Sequence, residues 1–329
     1  MSVDSRRPRV GIIGTGAIGG FYGLMLARAG YDVHFLLRSE FDTVAREGLQ
    51  VKSAVHGELS LKPVQAYRSA AEMPPCDWLL VGTKSTGNAA LGPIIRQAAA
   101  PNASVLLLQN GLAVEDQLRN VLPDSLHILG GLCFVCVNRI APGIVAHEAF
   151  GAVSIGYHSG PADDEASRMA VVEACATLFR TAGIDAPVMA NLQQARWQKL
   201  VWNVPYNGLS ALLQTSTGRL MADPDSQALI RALMDEVVQG AEACGHALPP
   251  GFAQHLFTVT ESMPDYRPSM YHDLAERRPL ELDAIYARPL AAALAAGFDM
   301  PRVRALYQAL AFIDRGNHPA SKGVIHDRS

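Results

Sequence analysis

The sequence predicts an α/β protein: a doubly wound, largely parallel sheet with an antiparallel extension, followed by an all-helical C-terminal domain. Three observations carry that expectation. Strand-like and helix-like segments alternate through the first half. A glycine-rich turn sits between the first apolar run and the first helical segment. From Asn191 onward strand patterning stops and only helical periodicity remains. The expected division is residues 1–190 for the sheet domain and 191–329 for the helical one.

Val10-Gly11-Ile12-Ile13 reads as a buried strand, and residues 17–29 as the helix that follows. Between them Gly14, Gly16 and Gly19 spell G-x-G-x-x-G, where a Rossmann-type domain holds a dinucleotide. The first glycine permits the tight turn, the second lets the backbone approach a pyrophosphate, and the third lets helix and strand pack closely. The helix N-terminus adds free N–H groups and a positive dipole end.

Gly30 closes that helix, and Tyr31 to Arg38 reads as the second strand, with its core at 33–37. An NAD site usually places an acidic residue at the end of this strand, bonded to the ribose 2′-OH. Here the strand ends in Arg38-Ser39, and Asp32 falls at its beginning. A guanidinium matches a 2′-phosphate bidentately, so the expected cofactor is NADP(H). A solvated arginine would look the same in isolation; the glycine motif upstream favours the phosphate role.

Further strands are expected at 78–82, 104–108 and 127–130, with a helix at 113–121. Ligands of doubly wound sheets bind beyond the carboxyl ends of the strands. Two of those ends read Gly82-Thr83-Lys84 and Gln109-Asn110-Gly111. Lys84 and Asn110 are placed to meet a nicotinamide or a substrate; equally, Asn-Gly is a common turn dipeptide. Segment 132–157 reads as antiparallel strands around the turn Ala141-Pro142-Gly143, and 162–182 as a closing helix.

In the second half, helical patterning covers 191–213, 223–245, 250–263, 279–296 and 301–316, and the tail beyond Gly316, with Ser321-Lys322-Gly323, is expected to be mobile. Lys199, Asn203 and Asn207 recur at i, i+4 and i+8, on one helix face amid Leu200, Val201, Trp202 and Val204. Such a stripe is more often solvated. Beside a cofactor site it gains a second meaning, because ketone reduction needs a proton donor next to the oxygen that receives charge. Pro205 is expected to kink this helix. Glu281, in Pro279-Leu280-Glu281-Leu282-Asp283, reads from pattern alone as a first-turn carboxylate.

Composition narrows the class. The 329 residues are 49% hydrophobic and 18% charged with a net charge of −3, which fits a globular chain and excludes a basic nucleic-acid footprint. No segment has the length and apolarity of a membrane span, and Met1 to Arg9 lacks a signal-peptide core, so a cytoplasmic protein is expected. The five cysteines show no disulfide framework. Cys133 and Cys136 have C-x-x-C spacing but lie in an apolar run and read as buried packing groups. No metal site is expected.

Taken together, these landmarks resemble those of ketopantoate reductases (2-dehydropantoate 2-reductases). The matching residues are Gly14-x-Gly16-x-x-Gly19, Leu37-Arg38, Thr83-Lys84, Gln109-Asn110-Gly111, Lys199-x-x-x-Asn203-x-x-x-Asn207, Ser269-Met270 and Glu281-Leu282-Asp283. The resemblance implies a two-domain enzyme of pantothenate biosynthesis that reduces the ketone of ketopantoate with NADPH in the cleft between its domains. It implies Lys199 as general acid and Glu281 as its catalytic companion. Asn203, Asn207, Ser269 and Asn110 would hold the keto acid. Gly14, Gly16, Gly19, Arg38, Lys84 and Asn110 would hold the cofactor. Three positions depart from the family pattern: Gly208 follows Asn207 where proline is frequent, and Thr217 and Tyr266 stand at asparagine positions. They leave open a different keto or hydroxy acid. A non-catalytic NADP(H) sensor would have no need of the Lys199 stripe. A homodimer is compatible with the sequence, although no heptad seam announces one.

Overall fold

The computed structural model describes residues 7–317; the tail segment around 321–323 lies outside them. The chain divides after Ala195 into two compact units.

The first unit is built on one ten-stranded sheet. Its elements are β1 (Arg9–Ile13), α1 (Ala17–Arg28), β2 (Asp32–Leu36), α2 (Phe41–Glu47), β3 (Leu49–Ser53), β4 (Gly57–Leu61) and β5 (Gln65–Tyr67). There follow β6 (Cys76–Val81), α3 (Leu91–Ala98), β7 (Ala99–Leu107), α4 (Val114–Arg119), β8 (His127–Ala141), β9 (Ile144–Ser159), α5 (Glu165–Thr181) and β10 (Val188–Met189). The strand order is β4-β3-β9-β8-β7-β6-β1-β2-β5, with β10 beside β9. From β5 to β8 every neighbouring pair is parallel. β9 then returns antiparallel along β8, the extension expected from segment 132–157.

After Arg9, β1 is apolar and buried because both faces of a parallel sheet are covered. α1 lies close over it through small residues: a Cβ on Gly23 would stand 2.5 Å from a Phe35 ring carbon. Four strands were not expected from sequence: β3, β4, β5 and the two-residue β10. β3 alternates buried Leu49, Val51 and Ser53 with exposed Gln50 and Lys52, a one-sided strand that forms because β9 and β4 flank it. β4 is mostly exposed and β5 has three residues, too little for a periodic signal. Cys133 and Cys136 are buried free thiols in β8. Burial and the nearby Glu148 charge push Cys136 up to about 12, so it is a neutral packing group at physiological pH.

α6 (Leu192–Leu212) starts ahead of the division and continues into the second unit, all helical among the described residues. The rest comprises α7 (Thr217–Met221), α8 (Pro224–Ala243), α9 (Phe252–Glu261), α10 (Ser269–Ala275), α11 (Arg288–Ala295) and α12 (Pro301–Asn317). α7 and α10, five and seven residues long, escaped the sequence reading because neither completes two turns. α6 runs through Pro205 as one unbroken helix, so the expected kink does not divide it.

The segment expected as one helix over 279–296 begins later and opens with a π-turn at 283–287. That widened turn lies where the Pro289 ring would otherwise meet the Ile285 carbonyl. The start of α12 is capped from a distance. Buried Glu236 of α8 accepts the Arg302 N–H at 2.9 Å, the Val303 N–H at 3.0 Å and the Arg302 guanidinium at 3.0 Å. A carboxylate at a helix N-terminus also suits the dipole.

Candidate active site

In the first unit, the loop after β1 has the geometry its glycines require. Gly14 adopts φ +90°, and a Cβ there would stand 2.7 Å from the Thr83 nitrogen. Gly19 lies so close to the loop that a Cβ would fall 2.2 Å from the Gly14 carbonyl oxygen. Gly16 caps α1, its carbonyl accepting the Gly20 N–H at 2.8 Å, and no heavy atom lies within 4 Å of where its Cβ would be. Two glycines are therefore demanded by protein contacts, and the third leaves open space. That is the cradle a pyrophosphate needs. The Thr15 hydroxyl donates to the Leu36 carbonyl at 3.1 Å and ties this loop to the end of β2.

Arg38 lies just past β2, exposed, and its side chain has no ion-pair partner among the described residues. Asp32 sits at the opposite end, in register with Arg9 at the start of β1. It accepts from Arg9 Nε at 3.0 Å and Gln65 Nε2 at 2.8 Å, and lies 3.0 Å from His34 Nε2. Burial pushes its carboxyl up, but the bonds from Gln65, Arg9 and His34 prevail and hold it at about 2. Asp32 is thus a structural carboxylate, far along the strand from the cradle.

The ends of β6 and β7 are joined by an amide chain that the sequence did not disclose. Gln109 donates to the Thr83 carbonyl at 3.0 Å and to Asn88 Oδ1 at 2.6 Å, and Asn88 donates to Gln117 Oε1 at 2.9 Å. Half-buried Lys84 and Asn110 flank this chain. Glu40, two residues past Arg38, is a second group the sequence reading missed. It pairs with Arg139 and accepts the Gly143 N–H at 2.8 Å, so it holds the β8–β9 turn against the start of α2.

In the second unit, α6 carries Lys199, Asn203 and Asn207 on one face. Lys199 is half-buried; both asparagines are buried. Asn203 is 4% exposed, yet its Nδ2 has no acceptor among the described residues. An orphaned buried donor costs about 1–3 kcal/mol, so its retention asks for a purpose. Glu281, at 3% exposure, lies two residues ahead of the π-turn and its carbonyl accepts the Ile285 N–H at 3.1 Å. It is a buried carboxylate rather than the solvated first-turn residue that pattern alone indicated. Ser269 opens α10 and is half-buried.

The departures from the family pattern have physical reasons. Gly208 is required because a Cβ would stand 2.4 Å from the Tyr286 hydroxyl, which donates to the Val204 carbonyl at 2.8 Å. Thr217 and Tyr266 hold each other, and Asp265 next to them accepts the Gly218 N–H at 2.8 Å.

Comparison with known proteins places the chain among relatives. Residues 10–160 match the family model described as ketopantoate reductase PanE/ApbA, and residues 191–314 match its C-terminal companion. A 2-dehydropantoate 2-reductase of Nostoc sp. (strain PCC 7120) is 41% identical over 309 residues, covering 93% of this chain and 95% of the relative. Solved 2-dehydropantoate 2-reductases share the architecture. That from Geobacter metallireducens GS-15 has a TM-score of 0.86 at 39% identity, over 92% of this chain and 99% of that one. That from Methylococcus capsulatus has a TM-score of 0.82 at 31% identity, over 96% and 99%.

Proposed function

The chain belongs to the ketopantoate reductase family and is an oxidoreductase, and on that premise we propose that it reduces the ketone of ketopantoate to D-pantoate with NADPH. The observation that carries the substrate reading is the unsatisfied Nδ2 of buried Asn203, one helical turn from Lys199 and one from Asn207. A keto acid offers the oxygen acceptors that such a donor lacks. Relatives along most of the chain that are named 2-dehydropantoate 2-reductase support ketopantoate as that acid.

The first unit, in this reading, is the dinucleotide domain. Gly14, Gly16 and Gly19 cradle the pyrophosphate, Arg38 meets the 2′-phosphate, and Lys84 and Asn110 lie toward the nicotinamide. When bound, the reduced nicotinamide supplies the hydride. The open space at Gly16 and the exposed Arg38, which has no ion-pair partner among the described residues, fit that group.

The second unit supplies the proton and the substrate contacts. The Lys199 ammonium bonds the ketone oxygen, stabilises charge as it develops there and donates the proton that completes the alcohol. The neutral amine is then reprotonated from solvent. Glu281 orients that ammonium and the substrate hydroxyl. Asn203, Asn207 and Ser269 fix the hydroxy-keto acid so that one ketone face is presented.

The test is NADPH oxidation by the purified protein, followed with ketopantoate and, in parallel, with pyruvate and other 2-keto acids. Selective turnover of ketopantoate is expected. Preference for another keto acid would keep the chemistry and reassign the substrate. Cofactor binding with no turnover of any keto acid would overturn the catalytic reading.

A further inference from the structure

The sheet order gives a direction to the cofactor site. In the series β6-β1-β2-β5, the pyrophosphate cradle lies at the end of β1 and Arg38 lies just past β2. From the pyrophosphate a dinucleotide continues outward through the ribose to the adenine. The next strand outward is β5, in parallel register with β2 through Leu36 opposite Tyr67. The Leu37 N–H donates to the Tyr67 carbonyl at 2.9 Å, so both strands end at the same level. The residue after Tyr67 is Arg68.

Arg68 is held in an unusual way for a surface arginine. Its guanidinium carbon lies 4.2 Å from the centroid of the Phe41 ring, and Phe41 is itself packed against the core. One in-plane edge pairs with Asp42, while the side chain stays 55% exposed. The aromatic ring thus covers one face of the plane and the carboxylate holds its edge. Such a plane, backed and fixed, is a stacking surface.

We propose that Arg68, supported by Phe41 and Asp42, is the platform on which the purine ring of the dinucleotide stacks. This inference rests on the dinucleotide reading above and adds the recognition of its base. Stacking on the plane is indifferent to the 2′-phosphate. Arg68 therefore contributes equally to the binding of NADPH and NADH, whereas Arg38 contributes to NADPH alone. The geometry also separates plane from charge: a lysine keeps the charge and the Asp42 pair but has no flat face.

The experiment is equilibrium titration of the full-length protein with NADPH and with NADH, each read as a dissociation constant. Arg68→Ala and Arg68→Lys are expected to weaken both cofactors about tenfold. Unchanged affinity for both in Arg68→Ala, restoration by lysine, or loss for NADPH alone would each overturn the platform. The last result would make Arg68 a phosphate ligand instead. Arg38→Ala tests the parent reading separately: equal effects on both cofactors would remove the phosphate role of Arg38 while leaving the Arg68 comparison readable with NADH. Thermal melting of each variant identifies a loss caused by misfolding.

Discussion

Thr217 and Tyr266 are bound to each other by three hydrogen bonds. The Thr217 N–H donates to the Tyr266 carbonyl at 2.8 Å, the Thr217 hydroxyl donates to the same carbonyl at 3.1 Å, and the Tyr266 N–H donates back to that hydroxyl at 3.1 Å. The threonine side chain is thereby committed to the backbone that leads, three residues later, into Ser269. Thr217→Val keeps the shape and removes the hydroxyl, leaving the Tyr266 N–H without that acceptor. A loss of about 1–3 kcal/mol is expected, measured by denaturant unfolding. Thr217→Ser should retain most of the stability. Equal stability of the valine variant and wild type would show that the contact contributes nothing.

Lys199→Ala should lower kcat for ketopantoate reduction by about 10²–10⁴-fold while leaving the dissociation constant of NADPH unchanged. An unaltered kcat in the alanine variant would remove Lys199 from the chemistry.

Gly208→Ala offers a test with an unambiguous sign. Helix propensity alone would favour alanine by about 1 kcal/mol. The added methyl would stand 2.4 Å from the Tyr286 hydroxyl and 2.7 Å from a Leu306 methyl carbon, so packing predicts a net loss of about 1–3 kcal/mol. Tyr286→Phe in the same chain should recover part of it, and a double-mutant cycle by thermal unfolding reads the coupling. A stabilised Gly208→Ala variant would contradict the packing.

Asp32 makes a prediction about pH. Its folded carboxyl is held at about 2, below the ordinary aspartate value near 3.9. The unfolded chain therefore binds the proton more readily, and the contribution of Asp32 is fully present above about pH 4 and is lost as pH falls toward 2. Asp32→Asn should flatten that part of the acid stability curve, measured by unfolding at stepped pH, without altering the preference between NADPH and NADH. A changed cofactor preference would return Asp32 to the ribose.

How much of this was legible follows from where the signals reside. β1, its glycine loop and α1 were readable because a strand buried on both faces is apolar throughout and the turn chemistry is local. The buried asparagines of α6 were marked by spacing alone, since i, i+4 and i+8 fix a helix face before any contact is known. β3 was missed because only Leu49 and Val51 supply apolar alternation, and its strand character comes from pairing with β9 nearly a hundred residues later. Glu236 carries no local signal of its role, because its partners Arg302 and Val303 lie more than 60 residues away. Glu281 posed the same difficulty, because burial of a carboxylate leaves no trace in its neighbours' sequence. The π-turn had one visible cause, Pro289, which is also an ordinary residue for a helix start.

The amide chain through Thr83, Gln109, Asn88 and Gln117 bears on how a ligand would be received. Loops that must freeze on association weaken binding by the freedom they surrender at that moment. Here the exits of two strands are cross-linked by hydrogen bonds made within the protein, so that freedom is given up when the chain folds. Recognition at this rim is then closer to lock-and-key than to closure, and a substitution such as Gln109→Ala would appear first as slack: a rim that is still present but must be ordered anew for every molecule it admits.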